Sequence, residues 1–515
     1  MRIAALDLSG NTPLAAGSGN AAVVAQVDDE RWLEIARVAR AADDRLLSLW
    51  GAESAEGACT IHAAYAMEDG LLWLQLPTAR ETGYPDLSAV FPCAARMQRA
   101  VADLLGLPAA GAADTRPWLN HGGWPAHYHP LGRAASGTER FGRGTGDYPF
   151  VRVAGEGVHE VAVGPIHAGI IEPGHFRFSV VGEKVLRLEK RLGYAHRGIE
   201  KLYAGMPLQQ GQRLAGRSAG DSTVAYTWAY CMAAEQALGV TVPPRALWLR
   251  ALLLERERVA NHLGDLGALG NDAGLGYGLA RFSRLKEDWL RLHDRIFGHR
   301  YLMDLVVAGG VAADINGEHA GALREQCRRI VKQVRELHKL YDEHPGLQDR
   351  YGGTGILTPE VAAYFSVCGL AARACGRPVD IRIDHPCPPY RDLAVPAVTD
   401  TRGDVAARVA VRFGEIYASL DLIVSMLDAL PDGALAAPLP AAGAPARGLG
   451  WIEGWRGDVL VALQLGADGR IERCHCHDPS WQNWPAVEHA AIGNIIADFP
   501  LINKSFNLNY AGHDL

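Results

Sequence analysis

The sequence predicts an α+β protein in which a small α/β domain at the N-terminus precedes a large, mainly helical domain with peripheral β-strands. Before residue 130, short apolar runs alternate with turn residues and with single helix-like stretches. After Pro243, apolar residues recur at helical spacing over several long stretches. A chain of 515 residues is long enough for two or three domains with sizeable cores.

Composition and charge exclude several classes of protein. The hydrophobic fraction of 48% and the charged fraction of 21% are those of an ordinary globular chain. A net charge of −7, without a basic stripe that carries aromatic residues, argues against a nucleic-acid partner. No uncharged apolar run approaches the ~18–20 residues of a membrane span, and the N-terminus lacks the features of a signal peptide. We therefore expect a cytoplasmic protein that could still dock on a membrane partner.

The nine cysteines are scattered, and none forms a C-x-x-C pair. An odd number of cysteines without an export signal favours reduced thiols over a disulfide framework. The run Cys474-His475-Cys476-His477 suggests a metal site, but consecutive strand residues alternate between two faces and cannot converge on one ion. We therefore expect no metal there.

Local patterns divide the chain into two domains and a linker. In the first part, helical spacing covers Arg31–Leu49 and Ala94–Leu105, and two strand-like runs flank a Glu-Asp-Gly turn within Thr60–Leu76. A polar, glycine-rich stretch follows, which is typical of a domain boundary. The predicted small domain, linker and large domain are residues 1–130, 131–150 and 151–515.

The stretch Gly164–Glu235 holds the candidate site. It opens with a loop whose polar side chains suit proton or cofactor chemistry, namely His167, Glu172 and His175. An alternating run from Phe176 to Val180 then predicts a strand, and the Val-Gly-Glu sequence after it predicts a hairpin turn. The polar residues Asp221, Ser222 and Thr223 are predicted to cap a helix that runs to Glu235.

The large domain contains longer helix patterns with apolar residues on one face, at Arg245–Leu263, Phe282–Phe297, Ala320–Tyr341 and Arg402–Leu430. The first of these helices is rich in arginine, and we interpret its arginines as a solvated or subunit-facing surface. The segment Pro431–Arg447 is rich in alanine and proline, which predicts an excursion without regular structure. The runs Gly450–Leu465 and Arg470–His477 predict a β-meander.

Long motifs carry a family resemblance: GPIHAGIIEPGHF, GYAHRGIEKL, LERERVANHLGDLGALGNDAG, TRGDVAARVAVRF, EGWRGD and DFPLINKSF. Through them, the chain from about Val161 onward resembles the large subunit of membrane-bound, energy-converting NiFe hydrogenases. It is equally similar to the quinone-site subunit of complex I (NADH:quinone oxidoreductase). Residues 1–130, notably VFPCAARMQRAVADLLGL, look like the companion subunit of complex I. The fused arrangement is similar to the large component of hydrogenase-4-like and formate-hydrogenlyase-like complexes.

The resemblance implies a metal centre whose ligands this chain lacks. Hydrogenases of the family bind nickel and iron through four cysteines, in an early RxCGxC and a late DPCxxC motif, because soft thiolates suit these metals. The early motif aligns with this chain so that Ala219 and Ser222 stand at cysteine positions. In the late motif, Asn509 and Gly512 replace the other two cysteines. We therefore expect no NiFe centre and no directly bound metal.

Quinone binding is an alternative that the resemblance leaves open. In complex I the quinone headgroup contacts a second histidine of the loop and a tyrosine near the early motif. Here His167 matches the first histidine, Ile171 stands at the second, and the tyrosine position falls close to Gly220. Tyr226 could replace that tyrosine, so a bound quinone stays an alternative.

The polar residues around the missing metal are retained. Glu172 matches the proton-transfer glutamate of the hydrogenases, and its alternative role is to pair with Arg177 or Arg217. Arg456 matches the arginine above the diatomic ligands of the iron, and without them it could pair with Asp221 or Glu172. The two loop histidines either relay protons or bind backbone groups. We assign a catalytic polar path to Glu172, His167, Arg456 and Asp221, and cofactor contacts to His175, Ser222 and Tyr226.

These assignments predict the large subunit of an energy-converting, hydrogenase-related complex, peripheral on the cytoplasmic face of the membrane. It would bind a small Fe–S subunit beside Gly164–Glu235 and rest on antiporter-like membrane subunits. Its role would be to couple electron transfer from the Fe–S cluster of that partner to ion translocation. Two alternatives are a subunit that reduces a quinone, and a structural scaffold whose former pocket is filled by Tyr226 and Trp228.

Overall fold

A computed structural model describes residues 1–6, 8, 12–14, 19–54, 56–142, 144, 147–168, 171–441 and 443–515. The N-terminal part is built on a five-stranded sheet with the strand order β1-β2-β5-β4-β3. These strands are β1 (Thr12–Pro13), β2 (Ala22–Gln26), β3 (Arg45–Glu53), β4 (Cys59–Met67) and β5 (Gly70–Thr78). β2 and β5 run parallel, and the other neighbours run antiparallel. The helices of this part are α1 (Asp29–Ala41) and α2 (Ala94–Leu105), and a short strand pair joins β6 (Tyr84–Pro85) to β7 (Ala109–Ala110).

The predicted helix Arg31–Leu49 is wrong in its second half. α1 begins after Asp28, whose carboxylate accepts the backbone N–H of Arg31, and it ends at Ala41. Asp43 then adopts a left-handed φ of 58°, and β3 starts two residues later. β3 is buried almost throughout because it contacts both α2 and a C-terminal strand. A strand that is buried on both faces has a continuous apolar run, which periodicity does not distinguish from a helix.

A second sheet leads into the candidate site. It is antiparallel, in the order β10-β9-β8, with β8 (Val158–Val163), β9 (His175–Val181) and β10 (Lys184–Arg191). The predicted hairpin turn is present, with Gly182 at a φ of 58°. The alternating residues of β9 point into a core that also contains residues of the N-terminal sheet and α2. The predicted division into two domains is therefore crossed by one shared core.

The central part is helical. Its helices are α3 (Ile199–Tyr203), α4 (Leu208–Ala215), α5 (Thr223–Leu238), α6 (Pro244–Asp272), α7 (Gly276–Phe297), α8 (Gly317–Glu343), α9 (Pro345–Tyr351), α10 (Pro359–Tyr364), α11 (Gly369–Arg373), α12 (Ile381–Asp384) and α13 (Val405–Asp428). A two-stranded pair, β11 (Val306–Val307) and β12 (Gly310–Val311), follows α7. The four long helices confirm the predicted periodic segments, with ends shifted by up to nine residues, the largest shift being at the end of α6. In the described ranges, no helix combines the length and apolar composition that a membrane span requires.

The C-terminal part packs against the central helices. An antiparallel meander of β13 (Ala446–Glu453), β14 (Asp458–Leu465) and β15 (Ile471–His477) packs against α5. It is followed by α14 (Ser480–Ala491), α15 (Phe499–Phe506) and α16 (Ala511–Asp514). Single 3-10 turns occur at Ile3–Ala5, Gly220–Ser222, Tyr390–Asp392 and Ile496–Asp498. The carbonyl of Leu515 accepts the backbone N–H groups of Arg197 and Gly198, at 2.7 and 3.0 Å.

The interpretation of the arginine-rich helix as a solvated surface is wrong. In α6, the side chains of Arg250, Arg256 and Arg258 are all fully buried. Arg250 forms two hydrogen bonds with the carboxylate of Glu235, and Arg258 pairs with Glu255 on its own helix. Arg256 has no carboxylate partner and instead donates to the Gln326 amide oxygen and stacks on the Trp289 ring. Arg258 also donates to the Glu453 carbonyl. Gln326 and Glu453 are distant in the chain, so the spacing of arginines on one helix does not reveal them.

Candidate functional site

The loop between β8 and β9 places apolar side chains at the surface. Its ends are joined by a hydrogen bond from the Gly174 N–H to the Pro165 carbonyl, at 2.9 Å. Ile166 and Ile171 are 84% and 40% exposed. Exposed apolar side chains that lie close together are typical of a surface that another chain covers. Residues 169–170 of this motif lie outside the described residues.

Glu172 is exposed next to these isoleucines. Its carboxylate accepts the backbone N–H of Ala511 at 2.9 Å, which ties the loop to the C-terminal segment. The alternative role that we considered, a pairing with Arg177 or Arg217, is wrong because both arginines pair with other carboxylates. The Glu172 carboxylate therefore lies at the surface, and one of its oxygens binds a backbone group of the C-terminal segment.

The two loop histidines have different surroundings. His175 is buried, its Nδ1 lies 3.3 Å from the Gly164 carbonyl, and its Nε2 lies 3.4 Å from Nε of Arg177. It therefore holds the start of the loop. His167 is half-buried against the ring of Phe176, and its Nε2 has no hydrogen-bond partner among the described groups. Burial lowers the pKa of His167, so this imidazole is neutral near pH 7.

Arg456 forms the central ion pair of the site. Its Nη1 and Nη2 donate to the two carboxylate oxygens of Asp221 at 2.8 and 2.6 Å. Nη1 also lies 3.2 Å from the Ser222 hydroxyl, and Nε donates to the Asn507 carbonyl at 2.6 Å. The guanidinium stacks on the Trp455 ring. Arg456 is thus paired with Asp221, one of the two partners we considered for it.

The two members of this pair differ in exposure. The Arg456 side chain is 6% exposed, and that of Asp221 is 41% exposed. Burial alone would raise the pKa of Asp221, but the charge and the hydrogen bonds of Arg456 outweigh that effect and lower it. Asp221 is therefore ionised at neutral pH and open to solvent on one side.

The four positions at which the family resemblance implies cysteines are closed by polar contacts. Ala219 contributes a buried methyl group, and the Ser222 hydroxyl is engaged in the ion pair. The Asn509 amide donates to Asp478 at 3.1 Å and accepts the Gly512 N–H at 3.0 Å. A Cβ on Gly512 would lie 2.5 Å from the Asn509 amide nitrogen and 2.7 Å from a carboxylate oxygen of Asp478. None of the four positions offers a sulfur ligand, and there is no space for one at Gly512.

Tyr226 faces this closed region. It is fully buried, and its hydroxyl donates to Asp478 at 2.8 Å. Burial first, and then the charge of Asp478, raise the pKa of Tyr226 well above its usual range. Trp228, two residues further along α5, is also fully buried and stacks on Tyr390. This geometry favours a packing role for Tyr226 over the predicted contact with a cofactor.

The residue that caps α5 was missed by the sequence analysis. Ser222 occupies the N-cap position but makes no capping hydrogen bond with its side chain. Instead, the Glu257 carboxylate on α6 accepts the backbone N–H groups of Val224 and Ala225, at 2.7 and 3.3 Å. Local capping patterns could not reveal it, because Glu257 lies more than a helix length away in the sequence.

Asp478 was also missed, although a local signal existed. Its carboxylate accepts the Tyr226 hydroxyl, the Asn509 amide and the backbone N–H of Ser480. The bond to Ser480 forms an Asx turn, which the sequence Asp-Pro-Ser favours. Asp478 therefore organises the groups that occupy the late cysteine positions.

The Cys474–His477 run alternates between two faces, as predicted. Cys476 lies 3.6 Å from the Tyr203 hydroxyl, whereas His475 contacts Glu200 at 2.5 Å and Ser48 at 2.8 Å. All nine cysteines are buried free thiols. In the part of the chain that the structure describes, no group of three or more His, Cys, Asp or Glu residues is arranged to hold a metal ion.

Comparisons with known proteins agree with this architecture. A family model described as the respiratory-chain NADH dehydrogenase 30 Kd subunit matches residues 25–140, and the corresponding 49 Kd subunit model matches residues 272–449. Formate hydrogenlyase subunit 5 of Escherichia coli (strain K12) is 32% identical over 471 residues, which cover 89% of this chain and 82% of that protein. Hydrogenase-4 component G of the same organism is 32% identical, over 84% of this chain and 76% of its own.

A solved structure has the same fold over most of the chain. It is described as the membrane-bound sulfane sulfur reductase, an archaeal respiratory membrane complex. Its matching chain is 25% identical, with a TM-score of 0.66, and the match covers 70% of this chain and 99% of that chain. The chain therefore belongs to the complex I-related family of fused subunits, in which a 30-kDa-type part precedes a 49-kDa-type part.

Proposed function

We propose that this chain is the large subunit of a membrane-associated, energy-converting complex, and that it couples electron transfer from a small Fe–S subunit to ion translocation without a NiFe centre of its own. The observation that carries this proposal is the Arg456–Asp221 ion pair beside the closed cysteine positions. The polar residues around the site are retained, whereas none of the four expected cysteine positions carries a cysteine. Relatives named as subunits of formate hydrogenlyase and of a membrane-bound hydrogenase support membership of such a complex.

The donor groups at the site do not fit a NiFe centre. Nickel and iron in such a centre require thiolates, two of which bridge the metals. Here the nearest side chains offer a methyl group, a hydroxyl and an amide, and the last two are already bound to Asp221, Arg456 or Asp478. No step of the proposed function therefore passes through a metal on this chain.

Instead, hydrogen bonds connect Glu172 to the Arg456–Asp221 pair through the C-terminal segment. Glu172 binds the Ala511 N–H, and Arg456 binds the Asn507 carbonyl, so both contact one short C-terminal segment. A change of charge on a neighbouring Fe–S cluster would act electrostatically on the exposed carboxylate of Glu172. The hold of this carboxylate on Ala511 would then change, and the segment would pass this change to the Arg456–Asp221 pair.

The surface around Glu172 supports the placement of the small Fe–S subunit. Ile166 and Ile171 expose apolar side chains on the loop that carries Glu172. We place the Fe–S partner on this loop, and the antiporter-like membrane subunits next to it on the cytoplasmic face of the membrane. The name of the solved relative, a respiratory membrane complex, is consistent with this arrangement.

Metal analysis of the purified complex tests the proposal. We expect no stoichiometric nickel, and iron only when the small Fe–S subunit co-purifies. Nickel close to one atom per chain would overturn the absence of the NiFe centre. A complex that lacks any Fe–S subunit under mild purification would overturn the electron-transfer role.

Quinone reduction is a second candidate, favoured by His167. Its Nε2 has no partner in the described structure, and the ring lies between the aromatic rings of Phe176 and Tyr510, at centroid distances of 5.3 and 6.4 Å. If a quinone headgroup binds there, a short-chain ubiquinone analogue will be reduced by the complex, and His167→Gln will raise KM more than it lowers kcat. An unchanged KM in this variant would remove the quinone alternative.

A further inference from the structure

Glu257 is a buried carboxyl group next to the candidate site that neither the family resemblance nor the proposed function uses. Glu257 is 5% exposed to solvent. Its carboxylate accepts two backbone N–H groups at the start of α5, from Val224 and Ala225. Among the described residues, no cationic side chain forms an ion pair with it. A buried carboxylate without a countercharge favours its protonated form.

A small cavity connects Glu257 to the outside. Its wall includes Asp221, Asn261 and Lys286, and it extends from the buried Glu257 to Tyr301, whose side chain is 46% exposed. The centre of a water molecule can occupy about 20 Å³ of this cavity. This volume holds one water, which needs two or more polar partners in order to stay.

His293 provides a second, independent indication of a water in this cavity. It lines the same space and is 1% exposed. Its Nδ1 lies 2.9 Å from the Arg300 carbonyl, so Nδ1 must carry the proton and donate it. The Nε2 of this tautomer is an acceptor, and it has no partner among the described groups. Burial lowers the pKa of His293 well below its usual range, so the ring stays neutral and keeps this acceptor.

We infer that Glu257 is a proton-loading site, which exchanges its proton with solvent through one water held between Glu257 and His293. In the exchange, the O–H bond of the protonated carboxyl breaks and its proton passes to the cavity water. The water in turn releases a proton to solvent past Tyr301. The carboxylate that remains keeps both N–H bonds from α5, so no buried donor loses its partner.

The charges that face Glu257 determine the direction of the coupling. Asp221 is the acidic neighbour and raises the proton affinity of Glu257, whereas Arg258 lowers it. Lys286 and Arg300 lie on the cavity wall as further cations. When Arg456 pairs with Asp221, the negative charge of Asp221 is largely neutralised. Loss of that pair would leave Asp221 uncompensated, and Glu257 would hold its proton more tightly.

Geometry and charge agree in this assignment. Burial raises the pKa of Glu257 to about 8, against the smaller effect of the two N–H groups. The group therefore changes its protonation state close to physiological pH. The inference goes beyond the proposed function, because a proton-loading Glu257 would exist whether or not the complex translocates ions.

Infrared difference spectroscopy of the purified complex during a pH titration tests this inference. The wild-type complex should show the C=O band of a protonated carboxyl group that shifts in D2O and disappears with a midpoint near pH 8. Glu257→Gln should remove this band, and Glu160→Gln, at an exposed position on β8, should leave it in place. A band that persists in Glu257→Gln would overturn the assignment.

A second variant keeps the inference testable even if Glu257→Gln does not fold. Asp221→Asn removes the negative neighbour but leaves Glu257 itself intact. The midpoint of the band should then move to lower pH, because the uncharged amide no longer favours the proton on Glu257. A midpoint that does not move would show that the site does not control Glu257. Nickel content and ion transport are not measured in this experiment, so its failure is distinct from failure of the proposed function.

Discussion

Glu172 and Ala511 are joined by one hydrogen bond of 2.9 Å between the carboxylate and the backbone N–H, across 339 positions of sequence. Just before Ala511, the Asn507 carbonyl accepts a hydrogen bond from Arg456 at 2.6 Å. One short segment thus touches an exposed carboxylate at one end and a buried guanidinium at the other. The coupling role proposed above requires this connection, whereas a scaffold role does not.

Glu172→Gln should abolish proton exchange while preserving the fold. The glutamine oxygen can still accept the Ala511 N–H, so the melting temperature should stay close to that of the wild type. Redox-driven ion transport in membrane vesicles should fall by about tenfold or more, because an amide cannot carry the proton. Glu160→Gln changes another exposed carboxylate in the same region and serves as the control. Equal transport rates in both variants would favour the scaffold alternative.

Asp221→Asn should destabilise the fold by about 1–3 kcal/mol, because it leaves the Arg456 guanidinium buried without its counter-ion. The half-exposed pair of Arg217 and Asp304 is the control, and Asp304→Asn should cost less than about 1 kcal/mol. Urea unfolding of the two variants measures the difference. Equal losses of unfolding free energy in both variants would mean that Arg456 does not require Asp221 as its counter-ion.

The Asp221 contribution should also depend on pH. The pKa of Asp221 is lowered in the folded protein by Arg456, against the opposing effect of burial. Its stabilisation is therefore present above the unfolded pKa of about 3.9, and it is lost as pH falls through the folded value. The stability difference between wild type and Asp221→Asn should shrink below about pH 4. A difference that stays constant into acid would contradict the ion pair as its cause.

The contribution of Glu257 to the free energy of unfolding should depend on pH with the opposite sign. Its folded pKa is raised to about 8, so between the unfolded value of about 4.3 and pH 8 the folded state holds more protons than the unfolded state. The stability of the wild type should decrease with rising pH across this window, by at most about 1.4 kcal/mol per pH unit. Glu257→Gln should lack this slope, and Glu160→Gln should retain it. Parallel curves for all three proteins, measured by chemical denaturation, would contradict the raised pKa.

Gly512→Cys should not restore a metal ligand. The new Cβ would lie within 2.8 Å of the Asn509 amide, the Asp478 carboxylate and the Tyr226 hydroxyl, so the variant should lose about 1–3 kcal/mol of stability. Gly321→Cys is the control, because a Cβ at that exposed helical position meets no atom within 4 Å. Thermal unfolding separates the two. A fully stable Gly512→Cys protein that acquires nickel would contradict the closed site.

The α+β class, the long helices, the hairpin at Gly182 and the family could all be predicted before any tertiary contact was known. These features depend on local periodicity, turn residues and long motifs, which a chain carries whatever its tertiary contacts are. The substitutions at Ala219, Ser222, Asn509 and Gly512 were equally visible, because the presence or absence of a thiolate is a property of the residue itself.

Which charged groups pair with each other is visible only in the folded chain. The tertiary structure buried the arginines of α6, paired Arg456 with Asp221 instead of Glu172, and supplied the cap of α5 from Glu257 instead of a local residue. It also turned the second half of a predicted helix into β3, because a strand covered on both faces has no amphipathic period. The physical reason is common to all four outcomes. The free energy of a buried charge or apolar run depends on its neighbours in space, and those neighbours are far away in the sequence.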